Sequence, residues 1–270
     1  MSKIKYKVLE KPLKMLFKVE VSEKTTVKED FAVRLFEIDI VPQKTSFWSG
    51  SQNIELIRTP SALSGIPANN VDAFAQQVAA VLHNLTFKMS DYGMPLRVEK
   101  QDELWQKWLA VRANLADSYA GEWVDKSLSL VDQKMLPSEK LTRNLMQDLF
   151  LNEYFRGAYG VQFSDNSFKR ERTVYGLCPF PIQFNETWTL QSLENEQRIN
   201  FFGKWNGIVN TDSFKQWLQA KTGTGIAQIT VDGYYQISNY TGWCNALYSS
   251  YLLTAGNGYE KNIKVTLTTN

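Results

Sequence analysis

The hydrophobic period changes twice along this chain, and that change limits the fold more than any motif does. Residues 3 to 60 alternate apolar and polar side chains, residues 70 to 160 carry apolar residues at helical spacing, and residues 161 to 270 return to alternation. Strands at both ends with helices between them bury their apolar faces most simply by joining in one sheet against which the helices lie. The expected fold is α+β: a curved antiparallel sheet (a half-barrel) formed by N- and C-terminal strands, with three or four helices from the middle of the chain packed on it. One domain over 1–270 is expected, with strands in 1–60, a helical insertion in 70–160, and a strand meander with one short helix in 161–270.

Within the first zone, Phe17, Val19 and Val21 alternate with Lys18 and Glu20. Val33 and Leu35 share one face of the next strand, while Phe36, Ile38 and Ile40 take the other phase. That shift predicts a bulge near Leu35–Phe36, and Pro42 ends the strand. Residues 59–70 read as a connector. The spacing of Phe74, Val78, Val81, Leu82 and Leu85 predicts a helix with Asn70 as N-cap. Residues 90–98 predict a turn between two strands. A second helix carries Leu104, Trp108, Val111, Leu115 and Tyr119, and a third follows Pro137 with Ser138 as N-cap and Leu141, Leu145 and Leu149 on its core side. In the last zone a short helix near 212–220 buries Phe214, Trp217 and Leu218. The meander 226–231, 234–238, 243–253 and 259–268 is expected to turn at Asp232–Gly233, Thr241–Gly242 and Gly256–Gly258.

Charge excludes one class of partner. With 30 basic and 28 acidic residues the net charge is +2, which is no footprint for a nucleic-acid backbone. The Lys-rich first 28 residues read as a solvated strand face. No apolar run reaches the roughly 18 residues that a membrane helix needs. The opening MSKIKYKVLEKPLKMLFKVEV has neither an apolar core nor a cleavage site of the secretory kind, so the chain as written is expected in the cytoplasm, or in the periplasm or envelope if a signal segment has been removed. Cys178 and Cys244 are read most simply as buried thiols; whether they pair stays open.

Catalytic chemistry finds little support. His83 is the single histidine, placed on the polar side of its helix, so no histidine-based metal site is expected. Phosphate loops and the esterase elbow are absent, and no cofactor or catalytic residue is assigned. Carboxylate chemistry needs no motif; its candidates are Asp148, Glu153 and Glu186, the first two also readable as solvent-facing or paired with Arg143 or Arg156. The stronger lead is aromatic, since the chain holds 8 Trp, 12 Tyr and 15 Phe. Trp188, Trp205, Tyr235, Trp243, Tyr248 and Tyr251 are the candidate ligand- or partner-binding residues, on the argument that a curved sheet lined by them forms an apolar concavity with polar tips. The alternative is that helices cover most of them as core. Along 243–253, Trp243, Asn245, Leu247, Ser249 and Tyr251 share one face, and Cys244, Ala246, Tyr248, Ser250 and Leu252 the other.

Two stretches, PFPIQFNETWTLQ (179–191) and ITVDGYYQISNYTGWCNAL (229–247), resemble extracytoplasmic half-barrel proteins related to the lipoprotein carriers, through Pro181, Glu186, Trp188, Tyr235, Ile237, Thr241, Gly242 and Trp243. Residues 87–115 and 145–155 look like uncharacterised proteins of Bacteroidetes-type bacteria. The resemblance implies a half-barrel with helices. The expected role is a non-catalytic binding protein whose concave sheet holds a protein segment or a hydrophobic ligand, in the manner of a chaperone, adaptor or immunity partner of a secreted bacterial protein. A carboxylate-dependent hydrolase and a lipid or lipoprotein carrier are the alternatives.

Overall fold

The computed structural model describes residues 2–43, 51–61, 69–207 and 211–269. The chain opens with β1 (Ser2–Lys3) and the strands β2 (Leu13–Lys24), β3 (Glu29–Pro42) and β4 (Asn53–Pro60). Helix α1 (Asn70–Ala80) leads to β5 (Asn84–Met89) and β6 (Pro95–Val98). Four helices follow: α2 (Gln101–Ser118), α3 (Glu122–Met135), α4 (Leu141–Leu145) and α5 (Leu149–Tyr154). The last part holds β7 (Gln162–Phe163), β8 (Ser167–Val174), β9 (Ile182–Ser192), β10 (Glu196–Trp205), α6 (Thr211–Thr222), β11 (Ala227–Ser238), β12 (Cys244–Ala255) and β13 (Tyr259–Thr269).

Eleven strands form one open antiparallel sheet in the order β6-β5-β4-β3-β2-β13-β12-β11-β10-β9-β8, and β1 pairs with β7 apart from it. An early strand and the last one meet mid-sheet, where Phe17 of β2 lies opposite Leu267 of β13. A flat sheet would hold β5 and β8, nine strand steps apart, about 43 Å from each other. Yet the α5 segment touches both: Phe155 packs on Phe87 of β5 with ring centroids 6.1 Å apart, and Asn152 accepts from Arg172 of β8 at 2.6 Å. A six-residue helix is only about 9 Å long, so the sheet curls around it. Phe150 of the same helix meets Phe17 edge-on at 4.9 Å.

The α+β class and the curved antiparallel sheet agree with the sequence reading, and several details differ. The first helix ends at Ala80, and Leu85 belongs to β5, where it alternates with Phe87 and Met89 as buried residues. Asn69 is the N-cap, its side chain accepting from the Asp72 N–H at 2.9 Å. Helix α3 is not among the expected helices: Gly121, at φ 119°, breaks the helical run and starts a new helix with Val124 and Leu128 on its buried side. The single helix expected after Ser138 is two, because Asp148 leaves the helical path and caps α5, accepting from the Leu151 N–H. Among the described residues five helices therefore come from the middle of the chain instead of three or four. No bulge occurs at Leu35–Phe36, since β2 and β3 stay in register from Leu13↔Ile40 to Lys24↔Glu29; both faces of β3 carry apolar residues. The expected turn at Asp232–Gly233 is absent as well, because β11 runs straight through it, and the register shift lies at Gln236–Ile237.

Candidate functional site

The six aromatic candidates are dispersed, and the concavity of the sheet is filled by the chain itself. Trp188, Tyr235, Trp243 and Tyr251 are buried. Tyr235 donates to the Tyr154 carbonyl at 2.7 Å, which ties β11 to α5, and Trp243 Nε1 donates to the Lys7 carbonyl at 2.8 Å. Trp188 Nε1 donates to Glu186, two residues along the same face of β9. Trp205 packs on Phe214 of α6 with centroids 5.0 Å apart. Tyr248 lies on the other face of β12, stacked on Tyr234. The face with Leu247, Ser249 and Tyr251 looks inward, and what it meets is α5.

There the sheet and α5 enclose an ion network. Glu153 and Arg156, three residues apart, pair at 2.7 Å. Arg172 of β8 reaches Glu153 at 2.9 Å and Glu186 at 2.7 Å, and Arg156 lies 3.5 Å from Glu186. Ser249 and Tyr251 donate to the two Glu153 oxygens, and Arg172 Nη2 donates to the Tyr251 hydroxyl. The Arg156 guanidinium lies 3.6 Å over the Phe201 ring. Arg170 stands at the edge over Trp188, its pKa pushed down to about 10 by burial. Two carboxylates thus meet two guanidiniums with every charge matched, the arrangement that a buried charge requires. The sequence reading had Glu153 facing solvent or paired with Arg156. The pairing holds and the solvent does not, because Glu153 is fully buried.

Burial alone would raise the Glu153 pKa. Arg156, Arg172 and the Ser249 and Tyr251 hydroxyls outweigh burial and hold the carboxyl well below the usual range. Glu186 is lowered in the same way, against its burial, by Arg172 and Arg156. Neither has a proton to give at neutral pH, and neither is exposed to a substrate, so the pair acts as a brace. A depressed folded pKa contributes stability that is present above the unfolded value of about 4.3 and is lost as pH falls through the folded one. Urea midpoints are therefore expected to drop between pH 7 and pH 3, and Glu153→Gln is expected to flatten that drop. Equal slopes in the two proteins would contradict the pairing.

The other candidates take plainer places. Asp148 bonds Arg58 at 2.9 Å. Cys178 and Cys244 are both buried free thiols, the latter pushed up to about 12 by burial. Among the described residues no three His, Cys, Asp or Glu side chains gather as metal ligands, and no helix is long and apolar enough to cross a membrane. His83 is half-buried beyond the end of α1, with its ring edge-on to Phe36 and its pKa lowered by burial and by Arg58.

Two clefts flank α1, and both have apolar residues in their walls. On one side a cleft of about 490 Å³ runs between α1, α3 and α4, lined by Val71, Phe74, Val78, Trp123, Val131 and Leu145 and floored by the buried Trp108. On the other side a cleft of about 690 Å³ lies between α1 and strands β3 and β4, lined by Arg34, Phe36, Pro60 and His83. Ala75 and Ala79 line both, so the ridge between the clefts consists of methyl groups. Val71 and Trp123 are exposed at the rim. This site is not legible in the sequence because one wall is α3, a helix that the apolar spacing does not reveal. The alanines at 75, 79 and 80 on an exposed helix face were the available signal.

No family model matches the chain, and no curated protein matches it. Among solved structures it is similar to lipovitellin, from a study of lipid–protein interactions in that protein, at 11% identity and a TM-score of 0.47. The match covers 96% of this chain and 25% of that one, so this chain spans about a quarter of the lipovitellin chain's length.

Proposed function

We propose that this chain is a non-catalytic binding protein for a hydrophobic ligand, and that the ligand lies in the clefts flanking α1. One observation carries the reading: two clefts with apolar residues in their walls flank a helix that buries one residue, Phe74, while the concave face of the sheet is occupied by α5. Clefts of 300–1,000 Å³ with apolar walls and few polar groups are the usual form of a small-molecule site. Phe74 is the only buried residue of α1, so the helix can shift to admit a ligand at small energetic cost. The aromatic residues of the sheet then act indirectly, as the rigid base on which the helical layer rests.

The experiment uses N-phenyl-1-naphthylamine, an uncharged probe that fluoresces in apolar surroundings. The protein is expected to bind it and to lose about tenfold in affinity, about 1.4 kcal/mol, when Val131→Trp fills the cleft between α1 and α3. No binding, or unchanged affinity in that variant, would sink the reading. Native mass spectrometry of the purified chain adds a second check: a co-purified small mass agrees with it, and a bound polypeptide instead would redirect it to a protein partner.

A further inference from the structure

Of the arginines that are buried or half-buried, Arg34 alone lacks a hydrogen-bond or ion-pair partner among the described residues. Arg58, Arg112, Arg156, Arg170, Arg172 and Arg198 each have one. Arg34 lies on β3 opposite Val19, on the same inward face as Phe36, and lines the cleft between α1 and strands β3 and β4. Across that cleft α1 presents Ala73, Gln76, Gln77 and Ala80, and no acid. The carboxylate that lines either cleft, Asp148, is already held by Arg58. His83 lines the same cleft as Arg34, its pKa lowered by burial and by Arg58, and its neutral ring can donate a hydrogen bond. A half-buried guanidinium without an anion is a polar group in want of a partner, and its planar fork fits a carboxylate.

We propose that the ligand is a single-chain amphiphile with a carboxylate head, the head bound by Arg34 and the chain crossing the Ala75–Ala79 ridge into the cleft floored by Trp108. This rests on the hydrophobic-ligand reading above and adds the chemical class. The ridge allows it, because methyl groups let an alkyl chain pass where larger side chains would separate the two clefts.

The test compares dodecanoate, dodecan-1-ol and dodecylamine at pH 8 as competitors of bound N-phenyl-1-naphthylamine. Dodecanoate is expected to displace the probe at about tenfold lower concentration than dodecan-1-ol, a difference of one charge-assisted hydrogen-bonded pair. Arg34→Met is expected to abolish that ratio, and Arg34→Glu to reverse the order in favour of dodecylamine, with circular dichroism verifying that both variants fold. If the alcohol competes as well as the acid, or the ratio survives both substitutions, the head-group assignment is overturned while the hydrophobic-ligand reading stands. If the probe never binds, both fall.

Discussion

Replacing Arg172 by methionine is expected to lower the unfolding free energy by about 3–5 kcal/mol, the cost of stranding a buried charge by removing its partner. Arg172 makes four contacts at once, to Asn152, Glu153, Glu186 and Tyr251. Its loss leaves Glu153 and Glu186 to share Arg156, which sits 3.5 Å from the second of them. The enclosed charge then changes from balanced to net negative. The double variant Glu153→Gln, Arg172→Met restores the balance and is expected to lose less than the sum of the single losses, with a coupling of about 1–3 kcal/mol. Urea unfolding of the four proteins measures it. Additive losses would mean that the two side chains do not share one desolvated site. A loss under about 1 kcal/mol in Arg172→Met would mean that water reaches the network.

The effect reaches the fold because of where the network lies. Glu153 and Arg156 belong to the α5 segment, Arg172 to the edge strand β8, Glu186 to β9, and Ser249 and Tyr251 to mid-sheet β12. Among the described residues the edge strands β6 and β8 do not pair, so these side chains and the aromatic contacts of Phe150, Tyr154 and Phe155 hold the curvature of the sheet. An all-apolar filling could hold it too. A charged one adds geometric selectivity, since a one-residue slip of β8 would turn Arg172 away from Glu153.

The sequence made the class of fold legible and the site illegible, and particular residues explain both. Alternation in Phe17-Lys18-Val19-Glu20-Val21 is a local property, so strands at the two ends could be read directly. That the strands of both ends join one sheet followed from their need for partners, and the pairing of β2 with β13 came only with the structure. The helical layer was harder. Phe74, Val78, Val81, Leu82 and Leu85 fit helical spacing, but the backbone leaves the helix after Ala80, and Leu85 fits strand alternation with Phe87 equally well. The burial of Glu153 is not legible in the sequence, because the groups that enclose it beside Arg156, namely Arg172, Ser249 and Tyr251, lie 19, 96 and 98 positions away along the chain. The aromatic cluster was visible, and its role could not be, since whether a concave face is open depends on the six-residue helix inside it. Arg34 shows the same limit in reverse: it becomes notable only when every other sheltered arginine has been given its partner.

Gly233→Ala is expected to cost about 3 kcal/mol, the upper part of the range for forcing an extra methyl into a packed core. The sequence pair Asp232–Gly233 suggests a hairpin turn, but the glycine stands in the middle of β11, opposite Phe201 on one side and Ser249 on the other. A Cβ there would lie 2.0 Å from the Tyr248 carbonyl oxygen and 2.7 Å from Phe201 Cζ. The ring could tilt, but it carries the Arg156 guanidinium 3.6 Å away on its face, so tilting disturbs the ion network. The carbonyl belongs to the backbone of β12 and cannot yield without moving the strand. Adding Phe201→Leu to Gly233→Ala is therefore expected to recover part of the loss and not all of it, because the smaller side chain frees the ring's space and leaves the carbonyl contact in place. Urea unfolding of the single and double variants separates the two contributions. Full recovery would assign the glycine to the ring alone, and a loss below about 0.5 kcal/mol in Gly233→Ala would mean that β11 and β12 are farther apart here than their register requires.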